Sequence, residues 1–564
     1  MSTGCTIGDP EAGDNDTPLP GTCAQAPSSI SDDTTFSAGC YEFDDTLDVE
    51  AGTLTIEPGT TLMFGHDTGL RVEDEGRLNA EGTDDDPIIM SSHDQDRGFW
   101  RGIFFNESRS ANNVLQNVEI SYGGGHGWTY QNRGPGNVVI NDSQVHIEDV
   151  ELTESGGNGL WLRATEDVTL SGNNVLTANA DAPVNGSART IAALNSDSDY
   201  SDNDGDYSAI KIRGGDLSGD ARWDEFNVPL LVDTDIDIEG GTLEIAPGND
   251  LIFTGGSGLR VEDDGRLNAE GTDDDPIVMS GDETTSGYWR GIFFNDTNSS
   301  DNVLHHVTIT DGGGHEWTYQ NRGPGNVVVS NARVELDEVT LENSGYAGLW
   351  IRATEDVTLT GDSLLTDNEG PPVSGSSRTI ASLNAESDYS GNHADDSAIE
   401  VRGGDLGDDA QWPQFNVPVR VDTVIEIDGG TLEVAEGNEL IFTQDAGLRV
   451  EDDGRLNMTA TDGAPIELRG DEELAGYWRG IYFKDTVSSD NHLEYVEIRD
   501  GGGHAWTYQN RGPANLVIDD SHVSADELTL TNSDGYGVYL QSDPTFDCQN
   551  LTNDDGWNVS EPPC

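Results

Sequence analysis

The stretch that decides the fold lies near the start of the chain: GTLTIEPGTTLMF at residues 52–64, followed by GLRVEDEGRLNAEGT at residues 69–83. Apolar and polar residues alternate in both, as at Leu70 and Val72, and each short run ends in Gly, Asp or Pro. A period of two places alternate side chains on one face, which is typical of β-strands joined by turns. No helical periodicity of useful length accompanies it. The sequence therefore predicts an all-β protein.

The chain repeats itself with a constant offset of 189 residues. Constant spacing between markers indicates tandem copies without net insertion, as in repeat proteins. We predict an acidic N-terminal tether and cap at 1–38, a first copy at 39–227, a second copy at 228–416, and a truncated third copy with a terminal cap at 417–564. The markers are Trp100, Trp289 and Trp478, and likewise His126, His315 and His504.

Two all-β architectures are compatible with short alternating strands: a series of sandwiches or propeller-like blades, and a parallel β-helix. Asp-rich turns recur at fixed places, aliphatic residues recur on one face, and hairpin signals such as Asn-Gly are few. These features favour the β-helix. Such a solenoid is stabilised coil on coil, so its ends need caps.

The motif G-x-L-x-I-x-P-G-x-x-L-x-F at 52–64, with G-L-x-V-x-x-x-G-x-L-x-A-x-G-T at 69–83, Pro87-Ile88 and W-x-G-I from Trp100, resembles parallel β-helix proteins of the pectate-lyase-like class. The resemblance recurs in all three copies and implies a right-handed parallel β-helix (β-solenoid). It says little about function, because that fold carries lyases, hydrolases, adhesins and passive surface proteins.

The net charge of the chain limits which macromolecules and surfaces it is expected to bind. The 564 residues include 107 acidic and 27 basic side chains, a formal net charge of -80. Nucleic acid and anionic membranes need a basic face, so neither is an expected partner. An Asp-rich surface resembles proteins of salt-adapted organisms, and the alternative is a calcium-rich or simply very soluble surface. No apolar stretch reaches the 18 residues of a transmembrane segment.

All five cysteines lie at the two ends of the chain. We predict disulfides between Cys23 and Cys40 and between Cys548 and Cys564, which would indicate an oxidising compartment outside the cell or at its surface. The string before Cys5 resembles the end of a lipobox, so Cys5 is a lipidation candidate. The alternative is a free or differently paired thiol.

One loop, present three times, carries the candidate site. It reads GGGHGWTYQNRGPGN at 123–137 and recurs at 312–326 and 501–515. Aromatic faces beside amide and guanidinium groups are suited to binding sugar rings. The alternative is that the loop folds over the solenoid and its Trp packs on the coil. The candidate ligand-binding residues are His126, Trp128, Tyr130, Gln131, Asn132, Arg133, His315, Trp317, Tyr319, Gln320, Asn321, Arg322, His504, Trp506, Tyr508, Gln509, Asn510 and Arg511.

The sequence identifies no catalytic residues, no cofactor and no dedicated metal site. The oxygen-rich stretch at 197–206 could bind calcium weakly, but its second copy replaces Asp202 and Asp204 with Gly391 and His393.

These patterns give three functional hypotheses. The first is a secreted or tethered protein that binds a polymer, expected to be a glycan, through the repeated loops, with affinity gained from three copies. The second is a structural spacer or a filament subunit that assembles end to end with itself. The third is a polysaccharide lyase or hydrolase.

Overall fold

A computed structural model of the chain describes residues 23–128, 134–163, 168–315, 317, 323–352, 356–393, 397–504, 506 and 512–559. Short β-strands dominate these residues, and successive strands pair in parallel, as when Val138 of one strand lies beside Ile103 of another. Helical segments among them are short, such as the α-helix Ala188–Ile191 and the 3-10 turns Asp206–Ser208 and Thr379–Ser382. The predicted all-β class and the right-handed parallel β-helix are confirmed.

The chain forms two compact units, residues 1–254 and 255–564. The strands described in the first unit are β1 Ala24–Gln25, β2 Ser29–Ile30, β3 Thr34–Phe36, β4 Cys40–Phe43, β5 Leu47–Ile56, β6 Thr61–Phe64, β7 Leu70–Glu81, β8 Ile88–Ser92, β9 Ile103–Asn106, β10 Val114–Gln116, β11 Val118–Ser121, β12 Gly136–Asn141, β13 Val145–Glu148, β14 Glu151–Thr153, β15 Asn158–Arg163, β16 Val168–Ser171, β17 Val184–Gly186, β18 Ile210–Ile212, β19 Gly215–Leu217, β20 Ala221–Trp223, β21 Leu230–Val232, β22 Ile236–Ile245 and β23 Asp250–Phe253.

The strands described in the second unit are β24 Leu259–Glu270, β25 Ile277–Gly281, β26 Ile292–Asn295, β27 Val303–His305, β28 Val307–Thr310, β29 Gly325–Ser330, β30 Val334–Asp337, β31 Thr340–Glu342, β32 Ala347–Arg352, β33 Val357–Thr360, β34 Leu364–Thr366, β35 Val373–Gly375, β36 Ile399–Val401, β37 Gly404–Leu406, β38 Ala410–Trp412, β39 Val419–Val421, β40 Val424–Ile427, β41 Thr431–Val434, β42 Glu439–Phe442, β43 Gly447–Glu451, β44 Arg455–Thr459, β45 Ile466–Gly470, β46 Ile481–Lys484, β47 His492–Glu494, β48 Val496–Arg499, β49 Ala514–Asp519, β50 His522–Asp526, β51 Thr529–Thr531, β52 Tyr536–Gln541, β53 Thr545–Gln549 and β54 Thr552–Asn553.

Corresponding strands keep the spacing of the sequence markers, since β9, β26 and β46 begin at Ile103, Ile292 and Ile481. The boundaries of the three copies remain a prediction.

Stacked side chains fill the interior of each unit. In the first unit Phe64 lies on Trp100 with ring centroids 4.2 Å apart and planes 3° apart, and in the second Phe442 lies on Trp478 in the same way. The indole N–H of the fully buried Trp100 donates to the Ser121 carbonyl at 2.8 Å. A buried indole with a satisfied N–H adds apolar area without a desolvation cost.

A ladder of buried asparagines runs through the turns. The side-chain amide of Asn179 donates to Asn203 at 2.9 Å, 24 residues further along the chain. Asn368 donates to Asn392 in the second unit at 2.8 Å, also across 24 residues. Each amide satisfies groups of the neighbouring coil, so the polar turns can be buried at little cost.

The ends carry the cross-links. The predicted disulfide between Cys23 and Cys40 is present. Cys548 is also disulfide-bonded, whereas its predicted partner Cys564 and the lipidation candidate Cys5 lie outside the described residues. Among the residues that the structure describes, no helix has the length and apolar character needed to cross a bilayer.

Candidate functional site

The loop at 123–137 leaves the coil through three crowded glycines. Gly124 has φ +74, and a Cβ there would lie 2.3 Å from the Ser155 hydroxyl oxygen. A Cβ on Gly125 would lie 1.8 Å from the Gly98 carbonyl oxygen. Only glycine fits both positions, because one needs a left-handed backbone and both lack room for a side chain. Their counterparts at 312–314 and 501–503 are equally crowded.

An asparagine at the end of the loop holds this entry in place. The Asn137 side-chain oxygen accepts the Gly123 N–H at 2.9 Å, while its amide donates to the carbonyls of Ile120 and Thr153. Asn326 and Asn515 make the same three bonds in the other copies. Sequence reasoning missed this role, although the asparagine at a fixed distance after the glycines was the available signal.

An apolar column lies beneath the loop on the outer face of the sheet. Val139 of β12 pairs in register with Phe104 of β9 and with Trp161 of β15, and all three side chains are buried. Strand alternation would leave such positions open to water. The loop tryptophan, Trp128, packs against this group instead.

The loop tryptophans lie on the coil in all three copies. Trp128 stacks on Phe104 at 5.4 Å between centroids, and the Arg101 guanidinium lies 5.9 Å from its ring. A Cβ on Gly69 would lie 2.4 Å from its Cη2 atom, so the glycine of the G-L-x-V motif makes room for the indole. Trp317 is 7% exposed in the equivalent place, and Trp506 packs on Tyr482.

These tryptophans were predicted either to bind sugar rings or to pack on the coil, and their geometry is that of packing. The rings are anchors that fasten the loop to the solenoid, since one face of each is covered by an aromatic side chain of a strand. The indole nitrogens of Trp128, Trp317 and Trp506 are buried and have no hydrogen-bond partner among the described residues.

The histidines of the loops face solvent. The His126 side chain is 63% exposed, and its Nδ1 lies 2.8 Å from an Asp67 carboxylate oxygen. His504 has the same arrangement with Asp445 at 2.6 Å. His315 is exposed too, but the position equivalent to Asp67 is Gly256, so this copy has no carboxylate there.

All of the remaining candidate residues lie outside the described part of the chain, so their placement stays a prediction. These are Tyr130, Gln131, Asn132, Arg133, Tyr319, Gln320, Asn321, Arg322, Tyr508, Gln509, Asn510 and Arg511.

A groove in the second unit was not expected from the sequence. It encloses about 330 Å³ and is lined by Tyr346, Glu400, Arg420 and Asp422 among others. Burial raises the pKa of Asp422 to about 6, helped by a hydrogen bond and like charge from Glu400. Burial, with the charge of Glu400, also raises the pKa of the Tyr346 hydroxyl.

The Asp422 carboxyl of this groove keeps its proton into mildly acidic pH, and Glu400 is in hydrogen-bond contact with it. Carboxyl groups in hydrogen-bond contact are closer than the roughly 5 Å or more that glycoside hydrolysis requires. The pair therefore offers a polar recess with a pH-dependent charge rather than the spacing of a hydrolase.

Parallel strands stacked coil on coil, covered in places by loops on the outer face, define a parallel β-helix protein. Residues 28–129 match the family model of the pectate-lyase-like β-helix domain, a segment that ends within the first loop. No curated protein and no solved structure matches the chain significantly.

Proposed function

We propose that this protein is an extracellular β-helix that binds a polysaccharide through its three loops at 123–137, 312–326 and 501–515. The observation that carries the proposal is the repeated loop base: glycine entry, asparagine clamp and tryptophan anchor recur in each copy. A loop whose base is fixed in this way has less freedom to lose on binding, which favours affinity.

Other features support the same reading. The match to the pectate-lyase-like domain agrees with a polysaccharide-related role. The Cys23–Cys40 disulfide agrees with an oxidising, extracellular setting. Because the tryptophans are anchors, the contacts are assigned to the exposed histidines and to the Tyr-Gln-Asn-Arg segments that follow.

The test is binding to arrayed glycans and to cell-wall polysaccharides at high salt, where the net charge is screened. Replacing the three tyrosines with Ala (Tyr130, Tyr319 and Tyr508) should abolish binding, whereas replacing one should weaken it modestly, since three weak sites act through avidity. A second triple variant replaces His126, His315 and His504 with Ala.

The matched control is His93→Ala, which removes a histidine paired with Glu42 away from the loops. This variant should bind as the parent does. Unchanged binding in both triple variants, with unchanged melting temperature, would contradict the proposal.

A further inference from the structure

Two adjacent histidines, His305 and His306, lie in the second copy where the other copies have none. The corresponding residues are Gln116 and Asn117 in the first copy, and Glu494 and Tyr495 in the third. The change is confined to this corner of the coil, between β27 and β28.

Backbone geometry brings both imidazoles to one side. Consecutive residues of a strand point to opposite faces, but His306 has φ +47, which interrupts the alternation. The two rings stack with centroids 4.3 Å apart. The equivalent residues Asn117 and Tyr495 have the same left-handed backbone, with φ 49 and φ 52, so the corner keeps one backbone conformation in all three copies.

Coil stacking adds carboxylates to the same place. His306 Nδ1 lies 3.0 Å from a Glu338 oxygen and 3.5 Å from an Asp273 oxygen. His305 pairs in register with Asp337, and its Nε2 lies 3.1 Å from that carboxylate. Ligand atoms of His305, His306 and Glu338 all lie within 4.8 Å of one another.

We propose that His305, His306 and Glu338 form a binding site for a divalent transition-metal ion of the zinc type, with Asp273 or Asp337 as a further ligand. Imidazole nitrogen combined with carboxylate oxygen suits zinc, nickel or copper, whereas calcium and magnesium prefer oxygen alone. The ligands need only small side-chain rotations to close on one ion. The site is separate from the proposed polysaccharide-binding loops.

The acidic partners are present in every copy, so only the two histidines distinguish the proposed metal site from the equivalent corners. Asp84 and Asp149 replace Asp273 and Glu338 in the first copy, and Asp462 and Glu527 replace them in the third. The chain thus contains the same acidic corner with and without imidazole, which provides internal controls.

The experiment titrates the chelator-treated full-length chain with zinc in about 1 M NaCl, where exposed acidic groups are screened, and follows binding by calorimetry. We expect one tight zinc per chain that excess calcium does not displace. The double variant His305→Gln/His306→Asn installs the first copy's residues and should weaken zinc binding at least tenfold without changing the fold. His93→Gln is the control and should bind as the parent does.

A gain of function gives an independent test. Gln116→His/Asn117→His places the histidine pair beside Asp84, Glu148 and Asp149 and should raise the stoichiometry to two. The proposal is overturned if the parent binds no tight zinc, if the double loss variant binds equally well, or if calcium displaces the ion. If the gain variant still binds one zinc per chain, the assignment of the metal ligands to this corner of the coil is overturned.

Discussion

The first and second compact units differ at an outward column, although their strands keep the same register. In the first unit Lys211 lies beside Leu231, and its ammonium binds the Asp181 carboxylate at 2.7 Å. In the second unit the equivalent pair is Glu400 beside Arg420. The position of a cation in one unit is held by an anion in the other without any change in strand pairing.

This difference in charge changes the pKa of a neighbouring aspartate. Burial raises the pKa of Asp233 in the first unit, and the charge of Lys211 opposes that rise. Around its counterpart, Asp422, burial and Glu400 act in the same direction, so the pKa reaches about 6. The β-helix therefore fixes inward residues through packing while outward residues are free to diverge, and the outward positions are where copies acquire different properties.

The largest expected effect concerns the loop anchors. Trp317→Ala should destabilise its unit by about 3 kcal/mol, because it empties a buried cluster with Phe293 and Trp350. Trp128→Ala should cost less, since that indole is only partly buried. Urea unfolding followed by circular dichroism measures both. Equal losses would show that the two copies hold their loops equally, and a loss under about 1 kcal/mol for Trp317→Ala would refute the anchor role.

The asparagine clamp should show no difference between copies. Asn137→Ala and Asn326→Ala each remove three hydrogen bonds between a buried side-chain amide and backbone groups and should cost about 2 kcal/mol. Asn268→Ala is the control, because its amide donates to the exposed Glu270 carboxylate and its backbone is an ordinary strand, and it should cost little. A difference between Asn137→Ala and Asn326→Ala would mean that the loop bases are not equivalent.

Glu400→Lys gives the second column the lysine that the first column has at the equivalent position, Lys211. Asp422 has a raised folded pKa, so the native state holds a proton that the unfolded chain releases, and stability is lost as pH rises from about 4 through 6. At pH 7 the variant should have lost about 1 kcal/mol less of its free energy of unfolding than the parent. The difference is small because solvent in the open groove screens the charges. The measurement is the difference in melting temperature between variant and parent at pH 4.5 and pH 7. An identical pH dependence would contradict the coupling of the two carboxyls.

The smallest effect is expected at the exposed histidines. Asp67→Gly gives the first loop the residue of the second, and Gly256→Asp makes the reverse change. Exposed ion pairs contribute little, so the pair itself should alter stability by less than roughly 0.5 kcal/mol. The backbone is left-handed at both positions, with φ 60 and +82, so glycine is favoured over aspartate there by an additional amount. Glycan binding measured on the same variants tests whether the carboxylate orients His126 for its ligand, in which case Asp67→Gly weakens binding and Gly256→Asp strengthens it.

The sequence carried enough information for the fold because alternation and the glycine-rich turns are local signals. Leu70 and Val72 point inward as expected, and the Cys23–Cys40 disulfide followed from cysteine placement. The candidate site was less accessible. Trp128 was considered as a sugar platform or as packing, and the decision depended on Phe104 and Gly69, which pairing register and coil stacking bring beneath it.

The Glu400–Asp422 groove and the His305–His306 corner were missed for a related reason. Their members come from separate coils, and in a chain with 107 acidic residues no spacing distinguishes one carboxylate pair from another.

The 24-residue spacing of the asparagine ladder limits how such a chain can lengthen. Asn179 bonds to Asn203, 24 residues later, and to Ser155, 24 residues earlier, and Asn368 does the same with Asn392 and Ser344, so each rung bonds to the coils directly before and after it. Duplicating one such 24-residue segment adds a rung and keeps every amide paired, whereas inserting half that length places an apolar side chain where an amide is required. Inserting whole coils should therefore change the stability of this β-helix little, whereas inserting part of a coil should destabilise it.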